Sequence, residues 1–441
     1  MSPPDAPRPP ARPAPGPARM SGWRARLARL LPERALARDG GILFGGFSVQ
    51  LLLQVGWLLL ALRVLGPEGY GLFVGLTAVT VAASYLAGPG CEQLLIRRTA
   101  GDAAAMPRAF GAGLTAIMLT GLPLAALFLW LLPAIGLASL GLLALCAILS
   151  ADLLLGRVAN LCAAVYLATG AAQRQSLAMV AMSATRCGAI ALAGLMPGPL
   201  TLQAWAWWYA ASALLGAAIC LGLVLRDHGA PRLPAWPSEW RDGAAFAAEA
   251  TLTAAAADLD KPLVLALAGP VAAGHYAAAA RIIGTLLLPM RALGYAVYGR
   301  LFRLGEADRG GSLDYARRVR PVTAGLGLAA ALGVLAFADL APLLLGPGYE
   351  DLPLLLRLFC LLPLAQALFA LGADVLSATR LQPVRLALVA ASLALTLLLC
   401  WAALPWAGAE GAAAARVAVT LLSAGLVWLL VGRLLGREGG R

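Results

Sequence analysis

Three ionisable residues lie within four positions of one another in an apolar run, "AADLDKPLVLALAGP" (256–270). The residue types of Asp258, Asp260 and Lys261 suit an ion pair, an ion site or the binding of a charged cargo. Each ionisable side chain at the centre of a membrane helix costs about 2.5–3.5 kcal/mol on insertion scales, so it needs a partner or water. Asp258 and Lys261 are three positions apart, and we expect them to touch on one helix face.

Depth within the membrane predicts further partners on the following span. Counted from Gly269, Asp258 lies about eleven residues deep and Arg281 about twelve. Glu249 lies about twenty residues deep and Arg291 about twenty-two. At about 1.5 Å per residue, each pair is nearly level across an antiparallel hairpin. The depths therefore predict an Asp258–Arg281 contact and a Glu249–Arg291 contact.

Two interpretations of these charges remain open. They either form closed salt bridges that fix the register of neighbouring helices, or they line a water-filled cleft that binds an ion or a charged substrate. Arg186 and Arg357 have no acid at a matching depth, which favours the cleft. We assign to the binding cleft Arg186, Asp260, Lys261 and Arg281. We assign either to the cleft or to structural ion pairs Glu249, Asp258, Arg291 and Arg357.

Two weaker polar signals accompany the charges. His275 beside Tyr276 has a type that can titrate in a proton-coupled cycle. Because both lie at the outer end of a span, an interfacial role is the favoured interpretation for the pair. Gln50 and Gln54, one helical turn apart on the first span, either face the cleft or hydrogen-bond to a neighbouring helix.

The sequence contains no nucleotide-binding loop, nucleophile triad or metal-ligand cluster. "DLD" matches a metal-binding motif of sugar-nucleotide transferases, but that site needs a soluble nucleotide-binding domain. The seven cysteines show no C-x-x-C spacing. We therefore predict no cofactor, no metal and no enzymatic activity, and we exclude ATP-driven transport by this chain alone.

Composition indicates which elements position these residues. The chain has 441 residues, of which 61% are hydrophobic and 13% are charged, and its mean hydropathy is +0.80. This composition is typical of an all-α polytopic membrane protein. Segments of about 20 apolar residues predict twelve transmembrane helices, at 42–64, 70–90, 110–133, 139–168, 176–196, 203–225, 243–267, 271–294, 320–345, 352–376, 384–404 and 411–432. The fourth is long, and its Asp152 is expected towards the cytoplasmic end.

The loops predict the orientation of these helices. Loops on one side contain no basic residue, as in "PAIG", "MPGPLT" and "GPGYED", whereas loops on the other side collect arginine. Basic loops remain in the cytoplasm, so both termini are predicted to be cytoplasmic. This orientation explains most of the net charge of +12 without a nucleic-acid partner. Residues 1–22 and 437–441 are predicted as cytoplasmic tails, the first of them disordered, and 23–39 as a basic interfacial segment.

Two similar turns suggest an internal repeat. "RVLGPEGYGLF" (63–73) and "LALAGPVAAGHYAA" (265–278) share Gly-Pro, then a glycine and an aromatic residue before a new span. Six intervening spans return the second copy to the same orientation. We predict two pseudo-repeated six-helix lobes, 40–228 and 243–436, joined by a cytoplasmic linker at 229–242 and enclosing a central cavity. Gly-Pro also recurs in "LLGPGYE" (344–350), so the dipeptide alone is no proof of duplication.

Three longer stretches carry a family resemblance: "RVLGPEGYGLFVGLTAVTVAASYLAGPGCEQLLIRRTA" (63–100), "DLDKPLVLALAGPVAAGHYAAAARI" (258–282) and "LLGPGYEDLPLLLRLFCLLPLAQAL" (344–368). The chain resembles the oligosaccharide flippases of O-antigen and exopolysaccharide assembly, which belong to the multidrug/oligosaccharidyl-lipid/polysaccharide exporter superfamily. The likeness extends over residues 40 to 435 and includes "GHYAAAAR", which ends at Arg281.

The resemblance implies a bacterial inner-membrane protein that moves undecaprenyl-pyrophosphate-linked oligosaccharide outward by ATP-independent alternating access. A pyrophosphate needs cations at membrane depth, and we place that contact at Arg186, Lys261 and Arg281. Membrane lipids, a coupling proton or sodium ion, and a polysaccharide polymerase with chain-length machinery are the partners that the resemblance suggests. Lipid II flippases commonly carry fourteen spans, so twelve argue against a peptidoglycan precursor.

Two alternatives to the flippase remain. A cation-coupled multidrug exporter of the same superfamily should present net acid in its cavity, whereas the charges counted here are cationic or balanced. A membrane polysaccharide polymerase or ligase needs a sizeable outer loop with arginine or histidine. The outer loops of this sequence are short and, apart from His275, carry neither.

Overall fold

In a computed structural model, residues 34–134, 140–198, 200–232, 240–307 and 309–435 are described, and they form a bundle of helices. The predicted tails and most of the predicted interfacial segment lie outside these residues. The principal helices are Arg34–Ser84, Cys91–Gly101, Met106–Ala134, Leu142–Ser150, Gly156–Ala168, Ala172–Gly194, Leu202–His228, Trp240–Asp258, Asp260–Ala268, Pro270–Leu286, Leu288–Ala307, Arg309–Phe337, Ala341–Leu345, Leu352–Leu358, Leu362–Ala378 and Gln382–Leu435.

Eight helices in the described part of the chain are long and apolar enough to cross a membrane, and the bent pair Pro270–Leu286 and Leu288–Gly305 makes nine. The first and last principal helices contain 51 and 54 residues. A straight helix of that length would extend for about 80 Å, more than twice the hydrocarbon thickness. Each is instead broken by a glycine with non-helical backbone, at Gly66 and Gly408.

All twelve predicted spans coincide with these helical segments. The seventh, Trp240–Asp258 with Asp260–Ala268, does not count among the apolar helices, because it is divided at Leu259 and its longer part contains Arg241, Asp242 and Glu249 as well as Asp258. The second is shorter than predicted, because its helix ends at Ser84 and a turn precedes Cys91–Gly101. The fourth contains a π-helical turn, Ala151–Leu155, between two α-helices.

The two Gly-Pro turns of the predicted repeat share one backbone conformation. Gly66 has φ 65° and ψ 177°, and Gly269 has φ 85° and ψ 174°. Only glycine adopts this region without strain. The helices that follow also touch reciprocally: a side chain at Gly71 would meet the backbone of Pro270 and Gly274, and one at Gly274 would meet the backbone of Pro67. The two lobes therefore meet at equivalent positions.

We call the end of the bundle that contains Gly66, Gly269 and Gly346 the Gly-Pro end, and the opposite end the arginine end. Near the Gly-Pro end, one hydrophobic cluster draws buried side chains from both lobes, between Leu58 and Val417. Two cross-lobe hydrogen bonds reinforce it: the Tyr349 hydroxyl donates to the Leu62 carbonyl at 3.0 Å, and Arg63 Nε donates to the Leu344 carbonyl at 2.7 Å.

At the arginine end each lobe has a hydrophobic cluster of its own. One lies within residues 91–224 and the other within 297–431. The lobes still meet there along the edge of the seventh span, where Arg97 pairs with Asp242 at 2.8 Å on an exposed surface. Packing thus holds the lobes together at the Gly-Pro end and leaves space between them towards the arginine end.

Candidate functional site

The charged motif lies at a break in the seventh span. One helix ends at Asp258 and the next begins at Asp260, with Leu259 between them. Pro262 has no N–H to donate to the carbonyl of Asp258, so the regular helical ladder is interrupted at this point. The break leaves Lys261 in direct contact with Asp258. Lys261 is almost fully buried, whereas the Asp258 side chain is about one-third exposed.

Asp260 faces a different set of partners. Its Oδ2 accepts hydrogen bonds from Arg416 and from the Tyr276 hydroxyl. The Arg416 guanidinium also donates to the Ala257 carbonyl at 2.8 Å. Asp260, Tyr276 and Arg416 are all buried. The group ties the seventh, eighth and twelfth predicted spans together through Oδ2, whereas Asp260 Oδ1 is buried without a hydrogen-bond partner among the described residues.

A cavity of about 550 Å³ lies between the lobes beside this break. Residues of both lobes line it, including Gln54 and Tyr209 from the first lobe and Gln366 from the second. Of the described residues that line it, one is acidic, Asp258, and five are cationic: Arg186, Lys261, Arg281, Arg291 and Arg416. Two of these cations, Lys261 and Arg416, are paired with acids. The cavity therefore carries an excess of positive charge.

Arg186 has no ion-pair partner among the described residues. Its guanidinium lies over the Tyr209 ring, 5.3 Å from the ring centre, and its Nε has no hydrogen-bond partner in the described chain. Asp152 is nearby, but it accepts hydrogen bonds from the Tyr209 hydroxyl at 2.6 Å and from Thr80. A guanidinium at membrane depth without a counter-ion favours water or an anion beside it.

Arg281 and Arg291 are exposed side chains that also line the cavity. The Tyr70 hydroxyl and the Asp258 carboxylate lie close enough to Arg281 to stabilise its charge. Arg281 forms no ion pair with the described residues, so the predicted Asp258–Arg281 pair is not made. The predicted Asp258–Lys261 contact is confirmed.

The predicted Glu249–Arg291 contact is wrong. Glu249 pairs instead with Arg385 at 3.1 Å and accepts a hydrogen bond from Gln382 at 3.2 Å. Residues at one depth meet only if both helices turn those faces towards each other, and depth says nothing about rotation. Glu249 and Arg385 form a structural pair within the second lobe, and Arg291 is left facing the cavity.

Arg357 was interpreted as an arginine without an acid partner, and this is also wrong. It pairs with Asp339, and the closest nitrogen–oxygen distance is 2.6 Å. Asp339 is the middle residue of a short 3₁₀ segment, Ala338–Leu340, near the end of the preceding span. Arg357 is not among the residues that line the central cavity.

The favoured interfacial interpretation of His275 and Tyr276 is wrong. Both side chains are buried. His275 Nε2 lies 2.6 Å from the Gly348 carbonyl, and Tyr276 donates to Asp260. Gly348 and Tyr349 pack against His275, so this end of the eighth span is buried and not exposed as helix ends usually are.

Sequence reasoning missed Arg416 and misplaced Asp152. Arg416 stands in the apolar run "GAAAARVAVTLL" (411–422), so the argument that selected Arg186 would also have found it. Asp152 lies about ten residues into its span, which is near mid-membrane rather than at the cytoplasmic end. The structure brings together Arg186, Lys261 and Arg281 around one cavity. The assignment of Asp260 to the cleft is wrong, because Asp260 is not among the lining residues and is buried against Tyr276 and Arg416.

Structural comparisons place the fold among known transporters. The chain is similar to the inward-facing conformation of a multidrug resistance MATE family transporter of the MOP superfamily, with 15% identity, 90% of this chain and 99% of that chain covered, and a TM-score of 0.74. An outward-facing conformation of such a transporter gives 17% identity, coverages of 92% and 96%, and a TM-score of 0.64.

A further match is a MOP superfamily transporter from Pyrococcus furiosus, whose description states that reverse polarity of its binding pocket suggests a different function. It shares 16% identity, with coverages of 91% and 95% and a TM-score of 0.63. At such identities the likeness shows the fold alone. No curated protein matches the sequence.

The sequence itself matches one family over more than half of its length. Residues 36–299 match the family described as polysaccharide biosynthesis protein. The match includes the first lobe and the charged break at 258–261. This match confirms the resemblance to a polysaccharide family that was drawn from the sequence, and the likeness of the fold to multi-pass transporters agrees with it. The chain belongs to the polysaccharide biosynthesis protein family.

Proposed function

We propose that this protein is a flippase that moves undecaprenyl-pyrophosphate-linked oligosaccharide outward across the bacterial inner membrane for O-antigen or exopolysaccharide assembly. The observation that carries the proposal is the charge of the cavity, where five cationic side chains face one acid among the described lining residues. A pyrophosphate offers several anionic oxygens, and guanidinium groups match them with charge-assisted hydrogen bonds.

The conformation supports a loading state. The lobes share one hydrophobic cluster near the Gly-Pro end and have separate clusters at the arginine end. With the arginine end in the cytoplasm, as the positive-inside rule predicts, the cavity faces the leaflet in which the cargo is assembled. Alternating access would then open the Gly-Pro end and release the cargo on the outer side, with both termini remaining cytoplasmic.

The two alternatives fit less well. A multidrug exporter that selects organic cations would be opposed by the cationic lining, because like charges in a low-dielectric cavity repel strongly. A polymerase or ligase would need a large loop at the Gly-Pro end. The described loops at that end, such as 346–351, are too short to form a domain.

The test is flipping of a fluorescent undecaprenyl-pyrophosphate oligosaccharide in proteoliposomes, followed by chemical quenching of the exposed leaflet. The Arg281→Ala variant should lose about tenfold or more in rate, because a hydrogen bond to a charged group is worth about 1.5–3 kcal/mol. Arg357→Ala is the matched control, since its arginine is paired with Asp339, and it should retain the native rate.

A fluorescent organic cation is the competing cargo in the same vesicles. Transport of the cation without the lipid would support the exporter and reject the flippase. An undiminished lipid rate in Arg281→Ala would make Arg281 structural and move the pyrophosphate contact to other cations of the cavity.

A further inference from the structure

A second cavity of about 450 Å³ lies within the first lobe, towards the arginine end. Four helices contribute to it: the first part of Arg34–Ser84, Cys91–Gly101, Gly156–Ala168 and Ala172–Gly194. We call it the amide pocket, because five of its described lining residues are amides: Gln50, Gln54, Gln93, Asn160 and Gln175.

None of these five side chains makes a hydrogen bond to another described residue. An amide offers two N–H donors and an oxygen acceptor, and a polar group within a membrane protein normally finds a partner on a neighbouring helix. Five unpartnered amides around one space indicate a ligand, or the water that a ligand displaces, as their hydrogen-bond partner.

The charge of the amide pocket differs from that of the central cavity. Its acid, Glu92, is paired with Arg157 at 3.0 Å, and the Arg157 side chain is only 3% exposed. The remaining charge on its described lining is Arg186. A nearly neutral surface of donors and acceptors suits hydroxyl groups, which also donate and accept, better than it suits an ion.

The two cavities adjoin. Gln54, Ser183 and Arg186 line both of them. One ligand that occupies both spaces would place an anionic part among the cations between the lobes and a neutral, hydroxyl-rich part among the amides. Arg186, which lines both cavities, would then lie where those two parts of the ligand are covalently joined.

We propose that the amide pocket binds the sugars nearest the pyrophosphate of the cargo, which deepens the proposed function and rests on it. The first sugar lies beside Arg186, and its hydroxyls exchange hydrogen bonds with the amides of the first lobe. The glycan is therefore held by one lobe while the pyrophosphate is held between the two.

The test compares two labelled lipids, undecaprenyl pyrophosphate and the same lipid carrying a trisaccharide headed by N-acetylglucosamine. Binding to the whole chain in nanodiscs is measured for the native protein, for the double variant Gln50→Met with Asn160→Leu, and for Gln203→Met. Gln203 is an exposed amide of the first lobe outside the pocket, so its variant controls for the loss of an amide.

The native protein should bind the sugar-bearing lipid about tenfold more tightly than the bare lipid, since a few hydrogen bonds of ordinary strength supply that difference. The double variant should remove this advantage and leave the affinity for the bare lipid within about twofold. Gln203→Met should resemble the native protein. Thermal unfolding of each variant reports on the fold.

Two results would overturn the sugar assignment alone: equal native affinity for both lipids, or an equal loss for both lipids in the double variant. Failure of the native protein to bind either lipid would instead overturn the proposed function. If the native protein binds the bare lipid tightly but binds the sugar-bearing lipid no more tightly, the sugar assignment fails and the proposed function stands.

Discussion

The two lobes contain buried aspartates in similar settings. In the first lobe, Asp152 accepts hydrogen bonds from Tyr209 and Thr80. In the second, Asp260 accepts one from Tyr276. Both carboxylates are less than a tenth exposed. The lobes therefore agree in placing an aspartate beside a tyrosine hydroxyl inside the membrane, as they agree in the backbone of their Gly-Pro turns.

The lobes differ in what the nearby arginine does. Arg416 pairs directly with Asp260, whereas Arg186 lies over the Tyr209 ring and leaves Asp152 to the hydroxyls. The arginine of the second lobe is neutralised by the fold, and the arginine of the first lobe is available to the cavity. The two aspartates lie on spans that are not equivalent in the repeat, the fourth and the seventh, so the lobes share this type of contact and not its position. In the proposed function, the second-lobe arginine supports the fold and the first-lobe arginine binds the cargo.

The largest effect should follow from breaking the second-lobe pair. Asp260→Ala leaves Arg416 buried without its counter-ion, which typically costs about 3–5 kcal/mol of unfolding free energy. Unfolding of the purified protein in detergent, followed by tryptophan fluorescence, measures it. Asp339→Ala is the matched control, because its pair with Arg357 is exposed and such pairs contribute about 1 kcal/mol or less. Equal losses in the two variants would contradict the structural role of Asp260.

A smaller loss is expected from the first-lobe aspartate. Asp152→Ala leaves the hydroxyls of Tyr209 and Thr80 without their acceptor, and an unsatisfied buried group costs about 1–3 kcal/mol. The same unfolding experiment checks the order of the two aspartates. A loss as large as that of Asp260→Ala would mean that Asp152 serves as the counter-ion of Arg186, and the proposed difference between the lobes would fail.

The sequence predicted the local parts of this arrangement well. The twelve apolar stretches predicted as spans coincide with helices of the structure, and the two Gly-Pro turns share one backbone conformation, because both are properties of neighbouring residues. The Asp258–Lys261 contact was correct for the same reason, since a separation of three positions fixes two side chains on one helix face. Counting the charges at membrane depth predicted a central cavity that is cationic or balanced, and the structure shows the excess of positive charge.

The parts that failed depend on helix rotation and on packing between distant segments. Glu249 met Arg385, which is more than a hundred residues away, instead of the arginine at equal depth. The Tyr276 ring packs against Phe359, which lies far along the chain, and the Tyr276 hydroxyl donates to Asp260. The amide pocket needs four helices to assemble, so Gln50 and Gln54 alone could not reveal it.

The smallest effect on stability, and the sharpest test of the comparison, is expected from the first-lobe arginine. Arg186→Ala removes a guanidinium that lies over the Tyr209 ring and forms no ion pair with the described residues, and a cation–π contact of this kind is worth about 0.5–1 kcal/mol at accessible sites. Arg416→Ala should cost several times more, because it leaves Asp260 buried without its counter-ion.

Arg186→Ala should instead affect the binding of undecaprenyl pyrophosphate. It should weaken this binding by about tenfold, as expected for the loss of a charged hydrogen bond, while the protein remains folded. If Arg186→Ala instead destabilised the protein as much as Arg416→Ala and left the affinity for the lipid unchanged, the first-lobe arginine would be structural as well, and the lobes would not divide support from binding.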